Sequence, residues 1–122
     1  MPVRSSSSAI VKWPDADTVG RAVRRWADDL GRKATGVVAV GYFGSYARGD
    51  WGVGSDVDVV VILEHAAESF ERRAARWDAT RLPVPADVLV YTRAEWVGLA
   101  APPRYIVWVL GSPRGSHTIA AP

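Results

Sequence analysis

The 122-residue sequence contains no cysteine. That excludes disulfides, thiolate zinc sites and a cysteine nucleophile, and makes the reducing cytoplasm the expected compartment. Histidine is nearly as scarce: His65 and His117 have no companion at metal-ligand spacing and read as surface residues. No apolar run approaches the roughly 20 residues a membrane-spanning helix needs, so no membrane association is expected. Met1 to Ser8 carries one arginine and four serines without an apolar core segment, and reads as a loose terminus, not a signal peptide. Neither charge sign is in excess. With 15 basic against 13 acidic residues the net charge is +2, and the isoelectric point of about 9.3 reflects few carboxylates to titrate, not a basic field. Nucleic acid is therefore not expected as a direct partner. Internal repeats and interdomain linkers are missing too, and with 48% hydrophobic residues the chain has the size and apolar content of one ordinary domain.

What is present is concentrated in one stretch, Gly44 to Asp58, followed by the apolar run Val59 to Leu63. Asp56 and Asp58 are two apart at the head of a β-branched run, and a strand turns alternate side chains to one face, so both carboxylates point the same way. Two unpaired anions there repel each other and lose hydration, a cost that a bound divalent cation offsets. Alone, Asp56 reads as a cap of the Gly54-Ser55 turn. Asp58 lies among valines, where an acid needs a specific partner. Upstream, the apolar run Val37 to Phe43 ends in Gly44-Ser45. A glycine lets the backbone turn sharply, and a short helical turn after it aims free N–H groups outward, where they bind phosphate oxygens. Arg48 adds a positive fork. Taken singly, Gly44-Ser45 is a plain turn and Arg48 a surface charge; together with the acidic pair they point to a nucleoside triphosphate bridged to the protein by Mg²⁺.

This compound pattern resembles the signature of the DNA polymerase β-like nucleotidyltransferases: Gly44-Ser45, ten intervening residues, then Asp56-Val57-Asp58. Ala47-Arg48-Gly49 and Ser55 ahead of the first Asp are similar to the minimal nucleotidyltransferase (MNT) branch, and the likeness spans about residues 36–92. The resemblance implies an α/β fold of the α+β kind, a small central mixed sheet of three to four strands with helices packed on it. It implies ATP as nucleotide substrate, held at Gly44, Ser45, Arg48 and Ser55.

Around the motif the chain reads as scaffold. Pro14 to Asp17 offers two N-caps, after which Val19, Val23, Trp26, Ala27 and Leu30 recur at helical spacing to about Gly31. The opposite face, with Arg21, Arg24, Arg25, Asp28, Asp29 and Arg32, reads as solvated. Residues 36–43 and 56–63 are strands, the first apolar enough to be covered on both faces. From Glu64 to about Arg81 the pattern predicts a charged helix marked by Ala67, Phe70, Ala74 and Trp77, stopped by Pro83 and Pro85. Ala86 to Tyr91 is a third strand, with Asp87, Leu89 and Tyr91 on one face and Val88 and Val90 on the other. Thr92 and Glu95 have capping-box spacing and open a short helix. Tyr105 to Leu110 is a fourth strand or a buried helical turn. The expected organisation is a flexible segment 1–14, a nucleotidyltransferase domain 15–110 and a flexible tail 111–122.

Transfer of a nucleotidyl group is mostly positioning and charge stabilisation. Two Mg²⁺ ions about 3.5–4 Å apart can hold the attacking and leaving oxygens, and need more carboxylates than one strand supplies. Asp87 heads another strand and completes a metal set with Asp56 and Asp58; neighbouring strands lie about 4.8 Å apart. The resemblance gives it a further role, activating the acceptor hydroxyl. Glu64, Asp78 and Glu95 compete for the position, but fall at a strand end or on a helix, where solvated roles suffice. Trp51, between the halves of the motif, suits loop packing at least as well as stacking on a base or docking a partner.

The domain leaves no room for a separate acceptor-binding module, so a protein acceptor is expected. The resemblance implies an MNT antitoxin that transfers AMP to a tyrosine of a HEPN-type ribonuclease toxin, and no Arg-x(4–6)-His toxin motif occurs here. A homo-oligomer is left open. Two other readings remain: an antitoxin that masks its partner without catalysis, against which the clustered carboxylates argue, and transfer to a nucleic-acid end or small-molecule hydroxyl, which lacks a basic groove or a pocket domain.

Overall fold

Residues 13–113 are described by the structure, a computed structural model. Of the segments expected to be flexible, residues 1–12 and 114–122 lie outside the described residues; Trp13 packs against the core and Gly111 belongs to a strand. The Asp15 carboxylate accepts from the Thr18 N–H at 2.9 Å and caps helix α1, Ala16–Lys33. Its buried residues are Val19, Val23, Trp26, Ala27 and Leu30, the face that the spacing predicts. Arg21, Arg24, Arg25, Asp28 and Arg32 are exposed, and the Arg32–Asp29 pair at 2.9 Å is a surface contact of little energetic weight.

Strand β1, Val37–Phe43, is followed by a single helical turn α2, Ser45–Arg48, and by β2, Val57–Leu63. The chain continues through α3, Phe70–Arg73, β3, Ala86–Thr92, α4, Arg93–Val97, and β4, Val107–Gly111, which settles the last apolar run as a strand. The sheet order is β3-β2-β1-β4, with β1 antiparallel to β2 and β4 and β2 parallel to β3. This is the mixed four-stranded α+β sheet expected. One face packs Val40, Tyr42, Val57, Val59 and Val61 against α1. The other packs Val38, Val60 and Ile62 against Tyr91, Trp96, Ile106 and Trp108, with Trp96 edge-on to both Tyr91 and Trp108 at 5.5 and 5.8 Å. Each fully buried valine contributes about 1.5–3 kcal/mol. Among such neighbours an unpaired carboxylate is conspicuous.

Parallel pairing of β2 and β3 needs a crossover, and residues 64–85 supply it. The long helix expected from Glu64 to about Arg81 does not form: regular structure is confined to α3 and a 3₁₀ turn at Ala74–Arg76. Two sets of hydrogen bonds, most of them distant in sequence, compete with it. The buried Arg73 guanidinium donates to the Glu68 carbonyl at 2.9 Å, to the Val90 carbonyl at 3.1 Å and in a fork to Glu95 at 2.6 and 3.0 Å, which pins the segment to β3. Further on, the Asp78 carboxylate accepts from the Thr80 N–H at 3.0 Å and its carbonyl from Trp26 Nε1 at 2.8 Å, closing a turn where the helix would continue. Ala67 and Phe70 are exposed, so the expected apolar face is not assembled. Thr92 and Glu95 form the reciprocal capping box that their spacing predicts. Among the described residues no helix is long and apolar enough to cross a membrane.

Candidate active site

The site is built where β1 ends and β2 and β3 begin. Pairing of Phe43 with Asp58 brings the end of β1 beside the head of β2, and in the parallel ladder Asp58 lies opposite Asp87. Residues opposed in register point to the same face, so the second and third carboxylates of the expected set are neighbours across one strand pair. Asp56 stands just before β2 and contributes its negative charge to the same cluster. Asp58 is half-buried, Asp56 and Asp87 exposed. Burial first, then the charges of Asp56 and Asp87, raise the Asp58 pKa above the usual carboxylate value, while Arg48 opposes the shift. No hydrogen bond contributes to holding that charge.

The turn ahead of the acids has the geometry the glycine suggested. Gly44 adopts φ 87° and ψ −157°, a region essentially reserved for glycine, and a Cβ there would collide with Asp58 Oδ2. The Asp58 carboxylate thus sits directly on the backbone of the turn. The Ala47 and Arg48 N–H groups donate to the Gly44 carbonyl, both at 3.0 Å, whereas the first N–H groups of a helical turn have no partner inside it. Arg48 is exposed and its Nε lies 3.3 Å from Asp50 Oδ2, a contact weak enough in water to yield to a stronger anion.

Two loop residues are differently employed. Ser55 closes the loop: its Oγ accepts from the Gly52 N–H at 2.9 Å and its own N–H donates to the Gly52 carbonyl at 3.0 Å. Its hydroxyl hydrogen remains available to a ligand. Trp51 stacks on Tyr46, centroids 5.6 Å apart and planes 9° from parallel, and Tyr46 donates to the Pro14 carbonyl at 2.9 Å. Trp51 therefore braces the loop. Of the competing acids, Glu64 pairs with Arg93 at 2.9 Å, Glu95 with Arg73, and Asp78 with Thr80, so each already has a structural partner.

Three carboxylates are the oxygen donors magnesium takes, and the uncompensated charge of Asp58 suits a cation. Among the described residues no three His, Asp or Glu side chains stand already arranged to hold a metal ion.

Sequence reasoning missed a groove of about 610 Å³ beside the turn, which Gly44, Arg48, Leu89, Tyr91, Arg104 and Tyr105 help to line. No local pattern marks it, because its walls come from segments far apart in the sequence. A larger cavity of about 790 Å³ involves Ala86 and Val88, on the side of β3 opposite Asp87, and takes no part in this chemistry.

The sequence matches the family model described as nucleotidyltransferase domain over residues 23–110. Among solved structures it is similar to a candidate nucleotidyltransferase from Sulfolobus solfataricus, with a TM-score of 0.60 and 18% identity over 82% of this chain and 86% of that one. It is also similar to a chain of a toxin–antitoxin structure with AMP-PNP, with a TM-score of 0.53 and 17% identity over 80% of each chain. At these identities the two structures bear on the fold alone. No curated protein matches the sequence.

Proposed function

Since the chain belongs to the nucleotidyltransferase domain family, we propose that it is a magnesium-dependent transferase of AMP from ATP to a protein hydroxyl, a tyrosine of a HEPN-type toxin that it thereby silences. The observation that carries this is the β2–β3 register, which makes Asp58 and Asp87 neighbours in front of the Gly44-Ser45 turn. The fold is shared with a chain of a toxin–antitoxin structure with AMP-PNP, and a toxin partner and an adenosine nucleotide are in keeping with that likeness.

In this reading the backbone of the turn and Arg48 hold the phosphates, and the Ser55 hydroxyl donates to the nucleotide from the closed loop. Asp56, Asp58 and Asp87 hold magnesium, two ions in all. When bound, magnesium neutralises phosphate charge and favours departure of pyrophosphate. Asp87 accepts the proton of the acceptor hydroxyl. The acceptor oxygen forms its bond to the α-phosphorus as the bond from that phosphorus to the bridging oxygen breaks, and pyrophosphate carries the electron pair away.

The test incubates the chain with a HEPN-type partner, Mg²⁺ and each α-labelled nucleoside triphosphate. Label should pass to the partner from ATP, and the Asp56→Asn, Asp58→Asn double variant should pass none while remaining folded. Absence of label with every nucleotide, or equal labelling by the double variant, overturns the proposal. Protection of cells by the double variant would favour masking.

A further inference from the structure

A groove opens beside the Gly44 turn, on the face of β3 that also carries Asp87. Along β3 alternate side chains share a face, so Leu89 and Tyr91 follow Asp87, and both line the groove. Gly44 and Arg48 line it where it meets the phosphate turn, and Arg104 and Tyr105 from the loop before β4 also line it. Whatever fills it is continuous with the site of transfer.

Three features indicate a polypeptide. The apolar lining from Phe43, Leu89 and Tyr91 suits an aromatic ring, and Asp87, at the head of the same row, suits the hydroxyl such a ring would carry. The lining has two arginines and no acid, and Arg104 has no ion-pair partner among the described residues. Tyr105 is 59% exposed, a large aromatic left open at the edge of the groove in the way of an interface anchor.

We infer that this groove is the acceptor site and takes an acidic polypeptide segment carrying an aromatic hydroxyl, with Arg104 pairing a carboxylate of the segment and Tyr105 packing on its side chains. The inference rests on the transferase reading above and supplies its acceptor specificity.

The test titrates the full chain into a fluorescein-labelled random copolymer of glutamate and tyrosine, read by anisotropy. Binding should saturate, and a lysine–tyrosine copolymer should bind at least tenfold more weakly. Arg104→Glu should weaken binding at least tenfold with an unchanged melting temperature. Arg24→Glu makes the same charge change on the exposed face of α1 and should alter binding less than twofold. Neither Arg104→Glu nor Tyr105→Ala should change ATP affinity measured by calorimetry with Mg²⁺.

Equal effects of Arg24→Glu and Arg104→Glu would reduce the binding to net charge and overturn the inference. A fall in ATP affinity with Tyr105→Ala would make the groove a nucleobase site, and tighter binding of a single-stranded oligonucleotide than of the acidic copolymer would make it a nucleic-acid site; either overturns it. Copolymer binding needs no catalysis, so the two proposals separate: groove-dependent binding without transfer of label under any condition refutes the transferase reading alone, and transfer of label without groove-dependent binding refutes this one alone.

Discussion

Replacing Gly44 by alanine should injure stability and chemistry by separable amounts. Its φ of 87° with ψ of −157° belongs to glycine, and holding an L-residue there costs about 1–3 kcal/mol. For a domain of this size each kcal/mol shifts the melting temperature by about 4 °C, so Gly44→Ala should melt about 4–12 °C lower. Six tryptophans make intrinsic fluorescence a convenient readout. The new methyl also meets Asp58 Oδ2, so the carboxylate must move off the turn or the turn off the carboxylate. A displacement on the order of 1 Å can cost about 100-fold in rate, and transfer of label from ATP should fall by about that factor. The control is Gly36→Ala. Gly36 has φ 84° with nothing within 4 Å of its would-be Cβ, so it carries backbone strain without any collision. It should lower the melting temperature and leave the transfer rate unchanged. Equal loss of activity in the two variants would refute the claim that contact between the turn and Asp58 matters to the reaction.

Two further outcomes follow from the charges. Burial raises the Asp58 pKa, so the folded protein holds that proton more tightly than the unfolded chain: its stabilising contribution is full below the ordinary value of 3.8 and lost as pH rises through the raised value. Asp58→Asn should therefore raise the metal-free melting temperature at pH 7, by an amount that vanishes near pH 3, and a gain that persists at pH 3 would contradict the assignment. Glu95 has the opposite sign: the Arg73 fork, then the Thr92 N–H, hold its pKa down from 4.5 to about 2, so its contribution is present above pH 4.5 and fades as pH falls toward 2. Melting curves of wild type and Glu95→Gln should converge across that window. A constant gap would sink the reading.

The sheet and most of the site could be read from the sequence because they rest on local pattern. Alternation placed Asp87, Leu89 and Tyr91 on one face of β3, the valine run marked β2, and Thr92 with Glu95 capped α4. What the sequence does not contain is register, and it is register that sets Asp58 beside Asp87. The crossover was misread because Ala67, Phe70, Ala74 and Trp77 keep helical spacing, while the helix is broken by long-range bonds, Arg73 to Val90 and Trp26 to Asp78, that no local window reveals. The groove was hidden for the same reason. Arg104 carries no pattern and Tyr105 reads as the start of the last strand, and only folding carries both alongside Leu89 and Tyr91.

The antiparallel ladder that sets Phe43 across from Asp58 also bears on how such proteins can diversify. Two hydrogen-bonded strands hold the phosphate turn against the acid, so strand pairing sets that gap and the length of the loop from Gly49 to Ser55 does not. A change in that loop reaches the reaction centre through Ser55, whose closure on Gly52 positions its hydroxyl. The exposed tip at Val53 can therefore be redecorated while the ladder and the Ser55 closure stay in place.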